Sequence, residues 1–243
     1  MGEGHVRFLR AIVIIGVILG ALFVGADRWA VDYAENQLAD KIQSRQGLSG
    51  DVKVDIHGFP FLTQALDHRL EQVDLVLTGV DASAEGRKAR LTRIEAAFHD
   101  VKLNSDYSGG TAGRAEGKAL VSYADLTAAS ETGVTVSYGG QPGKVKVSAT
   151  VDFLGRKFTR SVISTVTLED AKDSPGGKIV RVRAEEVPGE GIPGIEKVVR
   201  KKTDFDRRLD AGLPAGLKLT TLTSDEAGVH LALTGTNVSL AGS

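Results

Sequence analysis

Cysteine is absent from the 243-residue chain, which removes disulfides, thiolate metal sites and a cysteine nucleophile and leaves the redox compartment open. Neither sign of charge dominates. Thirty Lys and Arg face 31 Asp and Glu, the net charge is −1 and the pI is about 6.5. The chain therefore lacks the basic footprint that neutralises a phosphate backbone, and nucleic acid is not expected as a partner. Aromatic residues are scarce, at 5% with a single Trp, so a core of this size has to be built from Val, Leu, Ile and Ala.

Enzyme signatures are missing as well. There is no G-x-S-x-G elbow and no H-E-x-x-H helix. The glycine-rich stretch 109–119, GGTAGRAEGKA, fails the phosphate-loop spacing and carries Ala119 where the hydroxyl should stand, so it reads as a hairpin loop. Of the five histidines only His57 and His68 lie near each other in sequence, on different expected elements. Glu185, Glu186 and Glu190 flank a Pro/Gly turn, as solvated loop charges do. No catalytic residue, metal or cofactor is expected. A carboxylate pair assembled only by folding is invisible to such a search.

What is present begins at the amino terminus. After His5, Arg7 and Arg10, residues 11–26 (AIVIIGVILGALFVGA) run without a charge until Asp27 and Arg28. At about 1.5 Å per residue the run falls slightly short of a bilayer core unless Phe8, Leu9 and a snorkelling Arg10 extend it. Val24-Gly25-Ala26 has small residues suited to signal cleavage, so residues 1–26 fit both a removed signal peptide and a retained anchor. In both cases the basic residues precede the apolar run, which places the remainder outside the cytoplasm.

Residues 27–48 read as an amphipathic helix, with Val31, Ala34, Leu38 and Ile42 on one side and Gly47 and Gly50 ending it. Residues 49–243 read as one α+β domain. Alternation over 52–56, 73–77, 145–153, 162–168, 180–184 and 229–233 predicts half-buried antiparallel strands in a meander, a long curved sheet wrapped on a few helices. Ser122 is expected to cap a short helix over 122–130. The spacing over 191–209 predicts another helix, whose basic face carries Lys197, Arg200 and Lys201 as candidate headgroup contacts.

One turn is unexpectedly apolar. Phe59, Pro60, Phe61 and Leu62 follow the first strand, where turns carry Gly, Asn, Asp and Ser. Proline at the first helical position would start a short helix, turning Phe61, Ala65 and Leu66 inward with Leu62 beside them. As a plug, this helix closes one end of the sheet. As a site, Phe59, Pro60, Phe61, Leu62 and Leu66 line the mouth of a lipid groove or dip among headgroups.

Three blocks, VKVDIHGFPFLTQALDHRLEQVDLVLTGV at 52–80, VSYADLTAA at 121–129 and GLPAGLKLTTLTSDEAGVHLALTGTNVSL at 212–240, resemble in order and spacing the LmeA-like family of actinobacterial cell-envelope proteins. With the apolar start, the resemblance spans essentially the whole chain. It implies phospholipid binding, export to the envelope, a membrane setting and a link to maturation of envelope glycolipids. A weaker similarity to tubular lipid-binding domains implies a sheet curved round an acyl groove. The expected function is thus non-enzymatic phospholipid binding. A membrane-tethered scaffold with a filled core is the main alternative, and an envelope hydrolase or transferase ranks last.

Overall fold

The computed structural model describes residues 3–46, 50–84, 87–130, 132–153, 156–171, 177–185, 204–208, 213 and 215–240. The chain opens with helix α1 (Glu3–Gln46), 44 residues without a break and about 66 Å long at about 1.5 Å per residue. Its side chains change character at one point. Ile12, Val13, Ile14, Ile15, Val17, Ile18, Leu19, Leu22, Phe23 and Val24 are all exposed, whereas Asp27 is fully buried and Val31 nearly so. Beyond Asp27, Ala30, Ala34, Ala39 and Ile42 pack on the fold while Trp29 and Tyr33 face outward. A helix with one packed side thus runs on from residue 27, fused to the apolar run, but Leu38, expected on the packed side with Val31, Ala34 and Ile42, is exposed, and Ala39 packs instead. Among the described residues this is the one helix long and apolar enough to cross a membrane.

Among the described residues the rest is antiparallel sheet with two short helices, the α+β class expected from the alternation. Strands β1 (Asp51–His57), β2 (Arg69–Ala84), β3 (Arg87–Leu103) and β4 (Gly110–Val121) form a meander, interrupted after β1 by α2 (Phe61–Leu66). Helix α3 (Tyr123–Ala129) then carries the chain to a second meander. That sheet comprises β5 (Val134–Tyr138), β6 (Lys144–Phe153), β7 (Arg156–Asp170), β8 (Lys178–Ala184) and β9 (Phe205–Arg208). The hairpin of β10 (Leu217–Ser224) and β11 (Val229–Ser239) returns to the first sheet, giving the order β1-β2-β3-β4-β11-β10. The strands are thus divided between two sheets rather than joined in one.

Ser122 caps α3 as expected: its hydroxyl accepts the Asp125 N–H at 3.1 Å. Two aliphatic clusters hold the molecule together. Val134, Val145, Val147, Val162, Val180 and Val182 of the second sheet pack with Leu219 and Val229 of the first. Val31 of α1, Phe61 of α2 and Val54, Leu70, Val101, Ala112 and Val238 form the other.

A line crosses the first sheet. His99 and Val101 pair with Arg114 and Ala112, which sets Asp100 opposite Gly113; Thr236 and Val238 pair with the same two residues, which sets Asn237 there too. Asp100 and Asn237 have φ of 53° and 50°, the left-handed region that short polar side chains tolerate best. Each turns its strand over. Before the line Val101 and Val238 point inward; beyond it Phe98 and Gly235 do, so the buried parity changes on both strands and on β4, where Ala112 and Ala115 are both buried.

Two expectations fail. The stretch 109–119 is not a hairpin loop: from Gly110 it is the central strand β4, paired on both sides, and the turn lies before it. Gly110 serves close approach, since a Cβ there would fall 2.3 Å from the Lys102 carbonyl oxygen. The helix expected over 191–209 does not extend over its carboxyl-terminal part. Phe205–Arg208 is strand β9, where Arg181 pairs with Asp206 and joins its carboxylate at 3.2 Å.

Candidate functional site

The apolar turn is held by α1. Leu62 donates its backbone N–H to Asp27 Oδ1 at 2.8 Å, and Arg28 donates to Asp27 Oδ2 at 2.8 Å. Eight residues along, Glu35 Oε1 accepts the Ile56 N–H at 2.6 Å; eight further, Gln43 Nε2 donates to the Gly50 carbonyl at 3.1 Å. Three polar side chains at equal spacing thus lace β1 and the start of α2 to one helix. The bonds from the Leu62 and Ile56 N–H groups to carboxylates are charge-assisted and among the stronger ones.

Phe59–Pro60 is a cis peptide, Pro60 caps α2 and Phe61 is its first helical residue, so the proline stands one position earlier than expected. The two phenylalanines part ways. Phe61 is 8% exposed within the cluster of Val101, Ala112 and Val238, whereas Phe59 is 57% exposed with the Arg28 guanidinium 5.4 Å from its ring centre. Pro60 and Leu62 are half-buried, and Ala65 packs on the core. Leu66, expected to turn inward, is 76% exposed, because Ala65 and Phe61 already fill the inner side of this short helix. Gly58 closes the turn at φ 101°, where a Cβ would meet Gln64 Nε2 at 2.4 Å.

Sequence reasoning placed the turn correctly and missed its latch. Asp27 reads in sequence as the charge that ends an apolar run, and no spacing rule connects it with a backbone group 35 positions away.

A second feature is the inner face of the first sheet. One row of paired residues runs Val54, Leu75, Ala96, Gly117, Leu233, Leu219; the next runs Val52, Leu77, Ile94, Ala119, Leu231, Leu222. Every position is apolar. The opposite face, at Lys53, Asp55, Glu95, Glu116, Lys118 and Lys218, is polar. Along β4 the inward side chains are small (Ala115, Gly117, Ala119), flanked by Phe98 and Ile94 on β3 and by Leu231 and Leu233 on β11. The side chains are smallest along that strand, where Ala115 and Ala119 are buried; Leu75, Ile94, Leu231 and Leu233 are half-buried, Leu231 and Leu233 against the cluster of the second sheet and Leu75 against the other.

No group of three or more His, Asp or Glu residues suited to a metal occurs among the described residues. His57 Nε2 lies 2.9 Å from Asp74 Oδ2, and the His68 ring packs 4.6 Å from that of Tyr107, so the two histidines have separate partners. Lys197, Arg200 and Lys201 lie outside the described residues.

The model of the LmeA-like phospholipid-binding family matches residues 25–234. The chain belongs to that family. No curated protein and no solved structure matches it. The matched stretch takes in Asp27, the laced turn and both apolar rows just described, while most of the exposed apolar run precedes it. Phospholipid binding is the property by which the LmeA-like family is named.

Proposed function

We propose that this LmeA-like protein is a non-enzymatic phospholipid-binding protein of the cell envelope, with residues 8–26 kept as its membrane anchor and residues 27–240 facing away from the cytoplasm. The acyl chains lie along β4 on the inner face of the first sheet. One observation carries this reading: the apolar rows through Gly117 and Ala119 have large walls and a small floor, which is the shape an extended hydrocarbon chain requires. Each CH₂ moved there from water gains about 0.8 kcal/mol, so a chain can be held without polar contacts to it. Headgroup contact by Lys197, Arg200 and Lys201 belongs to the proposal on sequence grounds. Support of envelope glycolipid maturation is part of the same reading, with the protein presenting lipid to an enzyme it does not itself contain.

Retention of the anchor is supported by the continuity of α1 through Ala26 and Asp27. The alternative, a tethered scaffold with a filled core, draws support from the near-complete burial of Val147, Val162 and Val182 between the sheets. Native mass spectrometry decides between them. The full chain, extracted in a detergent that is not a phospholipid, is expected to retain phospholipid and to release it to organic solvent. A lipid-free mass that persists after exposure to phospholipid vesicles would establish the scaffold.

A further inference from the structure

We infer that the turn at Phe59 is a bilayer-docking surface: the Asp27 latch fixes it at the level where the apolar part of α1 ends, so that the acyl-binding domain sits with its α2 end against the phospholipid headgroups. The inference rests on the anchored reading above. Ala26 is the last residue of the apolar run, and Asp27 and Arg28 stand within about 3 Å of it along the helix axis. Asp27 holds the first turn of α2 by the Leu62 N–H, and Arg28 lies 5.4 Å from the Phe59 ring centre. Phe59 thus stands next to the residues that follow the apolar run, beside the headgroup layer, roughly 5–8 Å thick, that begins where the hydrocarbon core stops.

Exposure and residue type agree with that depth. Phe59 is 57% exposed, and Trp29, about 4.5 Å past Ala26 along the axis, is 70% exposed; Tyr33, whose ring stacks on that of Trp29 at 5.8 Å, stands about 6 Å further from the apolar run. Trp29 lies two residues from Asp27, about 200° round the helix, so aromatic rings stand on both sides of α1 at one level. Aromatic side chains are favoured at this boundary because the ring is apolar and its edge or polar tip can stay wet. No described part of the fold covers them, and the exposed apolar run leading directly to them names the occupant, a phospholipid surface. The same turn sends Phe61 inward onto Val101 and Ala112, at the end of the strand whose small residues form the proposed acyl floor. The docked end is thus the end nearest the lipid.

Trp29 is the sole tryptophan of the chain, which makes the test direct. The full-length protein is reconstituted into vesicles of phosphatidylglycerol and phosphatidylethanolamine, once with its native Trp29 and once as the Trp29→Phe, Phe59→Trp variant, both checked by circular dichroism. Lipids brominated high on the acyl chain are expected to quench both tryptophans, and acrylamide quenching of each is expected to fall several-fold from that of free tryptophan. A probe at position 59 that acrylamide quenches as it does free tryptophan, and that brominated lipid leaves untouched while Trp29 is quenched, overturns the docking surface. Co-purifying phospholipid is measured separately. If it is present while position 59 is in water, docking alone fails. If it is absent while position 59 is in the interface, the lipid-binding reading fails and docking stands.

Discussion

The carboxylate of Asp27 is completely buried, and it accepts the backbone N–H of Leu62 at 2.8 Å across 35 positions of sequence. This one contact joins the helix that leads from the apolar run to the turn that meets it. Replacing Asp27 by Ala leaves an N–H and the Arg28 guanidinium without their acceptor. The expected result is faster hydrogen exchange over residues 58–66 with no change in β4, because local opening follows the local contacts. Uniform exchange behaviour in the two proteins would show that the latch does not hold α2.

Phe59 and Phe61 should separate cleanly. Phe61→Ala empties a space beside Val101, Ala112 and Val238 and is expected to lower unfolding stability by about 3–5 kcal/mol. Phe59→Ala removes an exposed ring and is expected to change it by within about 0.5 kcal/mol. Urea denaturation of the two variants measures both, and equal losses would mean that the two rings are equally part of the core.

Gly117 tests the acyl floor. A Cβ there would make only ordinary contact, 3.7 Å from Leu233 Cβ, so Gly117→Ala is expected to fold normally. Gly117→Leu places a branched side chain between Ile94, Leu75 and Leu233, where the lipid chain is proposed to lie. Native mass spectra are expected to show reduced phospholipid in the Leu variant and nearly wild-type content in the Ala variant. Undiminished lipid in a folded Leu variant would place the acyl chains elsewhere.

Much of this was legible before folding. The amphipathic helix from residue 27, the Ser122 cap and most strands of the second sheet follow from periodicity, because each has one face buried by a neighbour close in sequence. β3 was not legible, since its inward positions change parity at Asp100: Ile94, Ala96 and Phe98 lie on one phase, Val101 and Leu103 on the other. β4 was hidden by its own composition, as glycine and alanine read as turn until the strands that need the space are known. The pairing of β4 with β11 brings Val121 beside Val229, a long-range choice that no local pattern encodes. The candidate site divides in the same way. Phe61 follows from an apolar helix start, whereas the outward direction of Leu66 depends on Phe61 and Ala65 filling the inner side of α2, that of Phe59 on its place beside Arg28, and the role of Asp27 on a backbone group far along the chain.

Acid should loosen the second sheet. The Thr165 hydroxyl donates to the Glu185 carboxylate, and Lys144 Nζ lies 2.9 Å from it; together they hold its pKa below the ordinary glutamate value. A depressed folded pKa contributes stability that is complete above the unfolded value, about 4.3, and is lost as pH falls through the lower folded value. The urea midpoint is therefore expected to decline below about pH 4, and Glu185→Gln to flatten that decline while lowering the midpoint at neutral pH. An unchanged acid limb in the Gln variant would assign the loss to other carboxylates.

The line through Asp100, Gly113 and Asn237 bears on function as well as on stability. Because both outer strands turn over there, Ala112 can close the core beside Phe61 while Ala115, three residues later on the same strand, continues the apolar face toward Gly117. If Asn237 were forced into ordinary extended geometry, β11 would present either Val238 or Leu233 to the interior, and the wall beside the floor would be lost. Asn237 is exposed, so its replacement tests backbone geometry with little disturbance of packing. A β-branched residue disfavours φ near 50°, and Asn237→Val is expected to lower stability by roughly 1–2 kcal/mol and phospholipid content with it. Asn237→Gly adopts the same angle freely and is expected to keep both. Equal stability and equal lipid in the Val variant would mean that the turnover of β11 is not set at this residue, and that the wall of Leu231 and Leu233 is held by the second sheet instead.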